Sequence, residues 1–157
     1  MAKATQERGE PSVWPGPDPT EITAWTVVQA GHVTGRRFTA ALAEVGLTPT
    51  QFGALLVIDL EPGLSGGEVA RRIAVTPQSV SDLVAGLVAL ELIVRDASAG
   101  RGHPISAQLT AKGQQTLRAA SVAVSEVDQL GLTDAEQRTL NELLHKVLKA
   151  GPSGPRS

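Results

Sequence analysis

Short polar side chains gather near the start of one helix, which is predicted to begin at Thr76. Gln78, Ser79 and Ser81 lie on the side of that helix opposite to its apolar stripe. Glutamine can form two hydrogen bonds with adenine, and serine can bond to the edges of several bases. These residue types therefore predict a helix whose N-terminal turns read base edges in the major groove of duplex DNA.

Cationic side chains that could accompany this helix follow it in the sequence. Arg101 lies between two glycines in a loop, from which a guanidinium can enter a narrow minor groove. Arg95 and Lys112 lie on either side of that loop and are predicted to contact phosphates. A second interpretation of Arg101, as a solvated loop charge, stays open on the sequence alone.

Two helix starts are candidates for a further kind of phosphate contact. Ser65 and Thr76 each precede a predicted helix, where a hydroxyl and free backbone amides can hold an anion. The alternative is that these two hydroxyls, with that of Ser79, only cap their helices. The sequence favours neither role for Ser65 or Thr76.

The elements that position these residues are marked by helix-start signals. Capping boxes pair a small polar residue with Glu or Gln three positions later, at Asp18, Thr48, Ser65 and Thr133. Thr76 is predicted to cap with its hydroxyl a helix whose first residue is a proline. The signals predict helices over 18–45, 48–60, 65–73, 76–90, 110–130 and 133–149, and a β-hairpin over 92–95 and 105–109. The buried stripe of the fourth helix is predicted to comprise Val80, Leu83, Val84, Leu87 and Val88.

This order of elements predicts a mainly α fold, in which a winged helix-turn-helix with a small β-hairpin wing occupies residues 47–112. An N-terminal helix, 18–46, and C-terminal helices, 113–150, flank it, and both are expected to serve dimerisation. Their apolar seams are Leu117, Ala120, Val124 and Val127, then Leu140, Leu143, Leu144 and Val147. Packing of these seams on the first helix of the same chain is the alternative. The Pro-, Gly- and Ser-rich tails, 1–17 and 151–157, are expected to be disordered.

Composition limits the classes of protein to consider. The chain has 157 residues, of which 41% are hydrophobic, so one domain with an aliphatic core is expected. It has no cysteine and no apolar run of about 18 residues, which favours a cytoplasmic protein without disulfides or a membrane span. The net charge is −2, and residues 47–112 hold five basic and six acidic side chains. Because DNA binders usually present a basic surface, a winged-helix module that binds proteins is the rival hypothesis.

The sequence offers one candidate site for a small ligand and none for a metal or for catalysis. Trp25 and His32 are seven residues apart on one helical face, and with Phe52 they could line a cleft for a small aromatic or phenolic ligand. The alternative is that these side chains are ordinary core or dimer contacts. No metal-ligand spacing, glycine-rich phosphate loop or nucleophile motif occurs, so neither a metal, a cofactor nor an enzyme activity is expected.

Five runs in this order resemble the MarR family of bacterial transcription regulators: Leu47–Phe52, Glu68–Ile73, Thr76–Ser81, Leu92–Arg95 and Leu109–Gly113. The resemblance implies a helical homodimer with a β-wing that binds pseudo-palindromic DNA, typically as a repressor. It also implies release of DNA when a small aromatic acid enters a cleft.

The chain departs from the family pattern at three places. Gly100 replaces an aspartate before the wing arginine, Leu90-Glu91 replaces Lys-Gly, and Ala85-Gly86 stands where an arginine is frequent. The second change puts a side chain where a left-handed turn is expected. The helix from Thr76 to Leu90 thus carries no Lys or Arg, and Asp82 is its only charge before Glu91.

Overall fold

A computed structural model of the chain describes residues 13–95 and 107–150. The predicted wing loop with Arg101, the C-terminal tail and most of the N-terminal tail lie outside these described residues. The chain divides into two compact units, residues 1–35 and 36–157.

The first unit contains a short turn and the start of a long helix. A 3-10 turn, Pro19–Glu21, precedes α1, which spans Thr23–Glu44 and continues into the second unit. The prediction that Asp18 begins the long helix is therefore wrong. The Asp18 carboxylate accepts from the Thr20 amide at 2.8 Å, and extended backbone at Ile22 ends the turn before α1 begins.

The second unit contains the end of α1 and all the other elements. They are α2 (Pro49–Leu60), α3 (Gly66–Arg72), α4 (Pro77–Ala89), β1 (Ile93–Arg95), β2 (Ala107–Leu109), α5 (Ala111–Val127) and α6 (Asp134–Ala150). The mainly α fold with a small hairpin is confirmed. The two strands pair antiparallel, with Ile93 opposite Leu109 and Arg95 opposite Ala107.

Helix boundaries follow local capping chemistry. Thr48 and Ser65 form the predicted capping boxes at α2 and α3, and the Thr133 hydroxyl and amide both bond to Glu136 at the start of α6. Helix α5 ends three residues earlier than predicted, at Val127. The side-chain amide Nε2 of Gln137 donates to the Asp128 carboxylate at 2.7 Å and holds the turn that follows α5.

The core of the second unit is aliphatic, as predicted. Its buried residues come from every element except α6: Leu42, Leu47, Ala54, Leu55, Ile58, Val69, Ala70, Val80, Val84, Leu87, Leu92, Ile93, Ala107 and Ala120. Leu83 is half-buried, but Val88 is 41% exposed, so its predicted place in the buried stripe is wrong. Leu87 faces the core, and Val88 lies about 100° further around the helix.

The C-terminal helices differ in how their apolar seams are used. Leu117, Ala120 and Val124 of α5 pack against the core of their own chain. Helix α6 has no buried residue, and Leu143, Val147 and Leu148 are each at least half exposed. No linker separates the wing from α5, because the predicted boundary after residue 112 falls within that helix.

No single described helix is long and apolar enough to cross a membrane. Helices α1 and α2 together have the length and apolar composition of a span, but the chain bends sharply between them.

Candidate nucleic-acid interface

Helices α3 and α4 form the helix-turn-helix that presents the predicted base-reading residues. Val80, Val84 and Leu87 bury one side of α4 against the core. This leaves the rest of its surface in solvent, with Gln78 exposed opposite the buried side and Ser81 exposed on its flank. Neither side chain has a hydrogen-bond partner among the described residues, so each polar group can bond to an incoming partner.

The turn between α3 and α4 is held in a strained conformation. Ala74 has a φ of 56°, in the left-handed region that non-glycine residues seldom occupy. The Val75 amide donates to the Ala70 carbonyl at 2.9 Å across this turn. The bond fixes where the chain leaves α3, and hence where α4 begins.

Thr76 and Ser79 form a pair at the start of α4. Their hydroxyl oxygens lie 2.8 Å apart, and the Thr76 side chain accepts no backbone amide. The prediction that the Thr76 hydroxyl caps α4 is therefore wrong, although Thr76 holds the N-cap position. Both residues are exposed, so the pair lies at the edge of the surface that carries Gln78.

Ser65 is fully engaged in its capping box. Its hydroxyl donates to the Glu68 carboxylate at 2.7 Å and accepts from the Glu68 amide at 3.3 Å. Hydrogen bonds from the Ser65 hydroxyl and amide hold the pKa of Glu68 below its ordinary value. The carboxylate occupies the position that an anion would need at this helix start, so the geometry favours the capping role.

The cations near α4 differ in whether they are paired. Lys112 lies 3.3 Å from the Glu91 carboxylate, and the Arg72 guanidinium donates through two nitrogens to Glu61. Arg71 and Arg95 are exposed and make no ion pair within the described residues. Arg95 therefore has no acidic partner among the described residues, whereas Lys112 must leave Glu91 before it can contact a phosphate.

The end of α4 is joined firmly to the start of α5. The Thr110 hydroxyl donates to the Glu91 carbonyl at 2.7 Å, and the Thr110 amide donates to the Leu92 carbonyl at 3.0 Å. Glu91 itself has a φ of 59°. The left-handed turn expected from the sequence is therefore present, and it is made by a glutamate.

Phe52 lines an open cleft between α2, β2 and α5, with a volume of about 430 Å³. Its apolar wall also includes Leu56 and Leu117, and its polar groups include Asp59 and Arg118. The Phe52 ring also packs edge to face against the ring of Phe38, which does not line the cleft; the two ring centroids are 5.8 Å apart. One face of α5 therefore forms a wall of the cleft.

Sequence reasoning missed Arg118. The available signal was the spacing of Gln114, Leu117, Arg118 and Ser121, which places all four on one face of α5. Trp25 and His32, the other predicted ligand residues, lie on α1 in the first unit, and both are exposed. Within the described ranges, no group of three or more acidic or histidine side chains is placed to hold a metal ion.

The comparisons with known proteins all indicate one family. Residues 45–102 match a family model described as MarR family. HTH-type transcriptional repressor Rv2887 of Mycobacterium tuberculosis is 32% identical over 126 residues, which cover 78% of this chain and 91% of the relative.

Solved structures of the same mycobacterial protein share this fold. Its complex with DNA has a TM-score of 0.63 at 30% identity, covering 80% of this chain and 96% of the solved chain. Its complex with salicylic acid has the same TM-score at 31% identity, covering 80% and 95%.

Proposed function

The chain belongs to the MarR family, and on that premise we propose that it is a cytoplasmic transcription repressor that binds a pseudo-palindromic operator as a homodimer. The observation that carries the proposal is the exposed N-terminal half of α4, where Gln78 and Ser81 have no partner among the described residues. The relative's complex with DNA supports it. The proposal assigns the protein no catalytic activity.

Base recognition falls to the first turns of α4. Gln78 donates and accepts at an adenine edge, and Ser81 bonds to a neighbouring base. The paired hydroxyls of Thr76 and Ser79 contact the sugar-phosphate backbone where the helix enters the groove. Ser65 supports this geometry from its capping box and makes no base contact.

Phosphate contacts are few, because the acidic balance leaves few unpaired cations. Arg95 anchors a phosphate, and Arg101, which lies outside the described residues, enters the minor groove. Lys112 joins them when it leaves Glu91. Two arginines per protomer give four in the dimer. A plot of the logarithm of the binding constant against the logarithm of the salt concentration should therefore have a slope of roughly −4.

The homodimer is formed through the flanking helices. Helix α6 exposes Leu143 and Val147 at 52% and 60%, on a face that no described residue of its unit buries. A second copy of the chain provides an apolar surface of the same kind, as expected for a two-fold interface. Two recognition helices then face two half-sites about one helical turn apart, roughly 10 bp.

A small aromatic acid is the proposed effector, because the relative Rv2887 has been solved with salicylic acid. The cleft beside Phe52 has the volume of a small-molecule site. Arg118 offers a guanidinium for the carboxylate, and Phe52 and Leu117 offer apolar surface for the ring. Trp25 and His32 stay predicted ligand residues of the first unit, and no contact with this cleft is assigned to them.

In vitro selection from random duplexes, followed by competition with a scrambled duplex, tests the proposal. We expect an enriched inverted repeat that a scrambled duplex fails to displace at moderate salt. The rival function, a winged-helix module for binding proteins, draws on the acidic balance of residues 47–112 and the absence of Lys and Arg from α4. Selection that enriches no sequence would favour that rival.

A further inference from the structure

The outermost line of α4 carries an unpaired carboxylate at its centre. Gln78, Asp82, Ala85 and Ala89 are spaced by four, three and four residues, and all are exposed. Asp82 is two residues from both Val80 and Val84, so it points about 200° away from these buried side chains. It therefore lies at the middle of the face that would meet DNA.

No cation in the described part of the chain pairs with this charge. Helix α4 contains no Lys or Arg, and Asp82 has no hydrogen bond or ion pair among the described residues. Duplex DNA carries about one negative charge per 1.7 Å of axis, so a free carboxylate on this face opposes binding. A base that donates a hydrogen bond to the carboxylate would offset this repulsion.

Base chemistry limits which partner can donate. A carboxylate only accepts, and in the major groove guanine offers two acceptors, thymine offers one, and adenine has an acceptor beside its amino group. Cytosine alone offers an amino donor without an acceptor of its own next to it. Ala85, the next residue on the line, has no bulk to hold the helix away from the bases.

We propose that Asp82 is a specificity-determining residue that accepts a hydrogen bond from the amino group of a cytosine in each half-site. This inference rests on the proposed function, since it requires that α4 enter the major groove. Four residues of helix rise about 6 Å, close to two base-pair steps of about 3.4 Å. The cytosine therefore lies within about two base pairs of the base read by Gln78.

Selection from random duplexes with four proteins tests the proposal: the wild type, Asp82→Ala, Asp82→Asn and the control Glu126→Gln. Glu126 is an exposed carboxylate on α5, so its variant loses the same charge elsewhere. We expect a cytosine in the wild-type and control motifs. Asp82→Ala should lose that preference and keep the rest of the motif, whereas Asp82→Asn should prefer adenine, with which asparagine pairs.

The strength of the cytosine preference is measured as the ratio of the binding constants for two duplexes, the selected site and the same site with thymine in place of the cytosine. Wild type should discriminate roughly 5- to 150-fold, as expected for one base contact, and Asp82→Ala about twofold or less. An unchanged cytosine preference in both Asp82 variants would overturn this inference and leave the proposed function standing. A wild type that enriches no motif would overturn both. Circular dichroism checks that the variants fold.

Discussion

Gly113 lies directly against the backbone carbonyl of Leu92, so that a Cβ atom added at residue 113 would be 2.0 Å from that oxygen. The same carbonyl accepts the Thr110 amide, which fixes the start of α5 beside β1. The recognition helix, the wing and α5 therefore meet at a point where only glycine fits.

Gly113→Ala should destabilise the protein by an amount near the upper end of about 1–3 kcal/mol, because backbone must move to admit the methyl group. Urea unfolding followed by circular dichroism measures the loss. Gly67→Ala is the matched control, since nothing lies within 4 Å of its added Cβ and its φ is ordinary. It should be neutral or stabilising by up to about 1 kcal/mol. Equal effects of the two substitutions would contradict the packing argument.

A second prediction concerns the left-handed turn after α4. Glu91→Gly should raise the free energy of unfolding by about 1 kcal/mol, since the positive φ of a non-glycine residue costs about 1–2 kcal/mol and glycine is more flexible when unfolded. Ala74 is the other non-glycine residue with a positive φ in the described part of the chain, and Ala74→Gly should give a similar gain. Thermal and urea unfolding check both, and a loss of stability in both variants would show that neither turn is strained.

The charge of Glu91 leads to a separate prediction about DNA binding. Glu91→Gln should free Lys112 for a phosphate and steepen the salt dependence of binding by about 1 per protomer. Titrations of one operator duplex at several salt concentrations measure the slope. The double variant Glu91→Gln, Lys112→Gln should not gain this increment. The double variant has the net charge of the wild type, so an increment that persists in it would contradict the role of Lys112.

The sequence was sufficient where local chemistry sets the structure, and it fell short where distant residues meet. Capping boxes predicted the starts of α2, α3 and α6, because the residues that make them are only three positions apart. The pairing of Arg72 with Glu61 depends on how α2 and α3 pack, and so does the place of Arg118 beside Phe52. The capping box expected at Asp18 does not form: the Asp18 carboxylate accepts from the Thr20 amide instead, and extended backbone at Ile22 ends the turn.

The capping box of α3 should make stability depend on pH. Hydrogen bonds from Ser65 lower the pKa of Glu68, so the ionised carboxylate stabilises the folded state at neutral pH. This contribution is complete above the ordinary pKa of 4.5 and is lost as the pH falls through the lowered folded value. Glu68→Gln, which retains a capping partner, should therefore differ from wild type most at pH 7 and least near pH 3.

Unfolding midpoints across this pH range measure the difference. Ser65→Ala provides the control, because it should cost about 1 kcal/mol and remove the hydroxyl that lowers the Glu68 pKa. In that background, Glu68→Gln should lose much of its pH dependence. If the stability difference caused by Glu68→Gln kept its full pH dependence without the Ser65 hydroxyl, the cause would be the charges of Arg71 and Arg72 instead.

Ligand binding gives the last prediction, in which Arg118→Gln weakens binding of salicylate by roughly 10-fold or more. A hydrogen bond to a charged group contributes about 1.5–3 kcal/mol, and the exposure of Arg118 places the loss toward the low end. Isothermal titration calorimetry measures binding, and displacement of operator DNA by salicylate measures release. Arg138→Gln, an exposed arginine on α6 outside the cleft lining, should bind salicylate as wild type does. Equal losses in both variants would mean that salicylate responds to net charge, so the cleft beside Phe52 would not be its site.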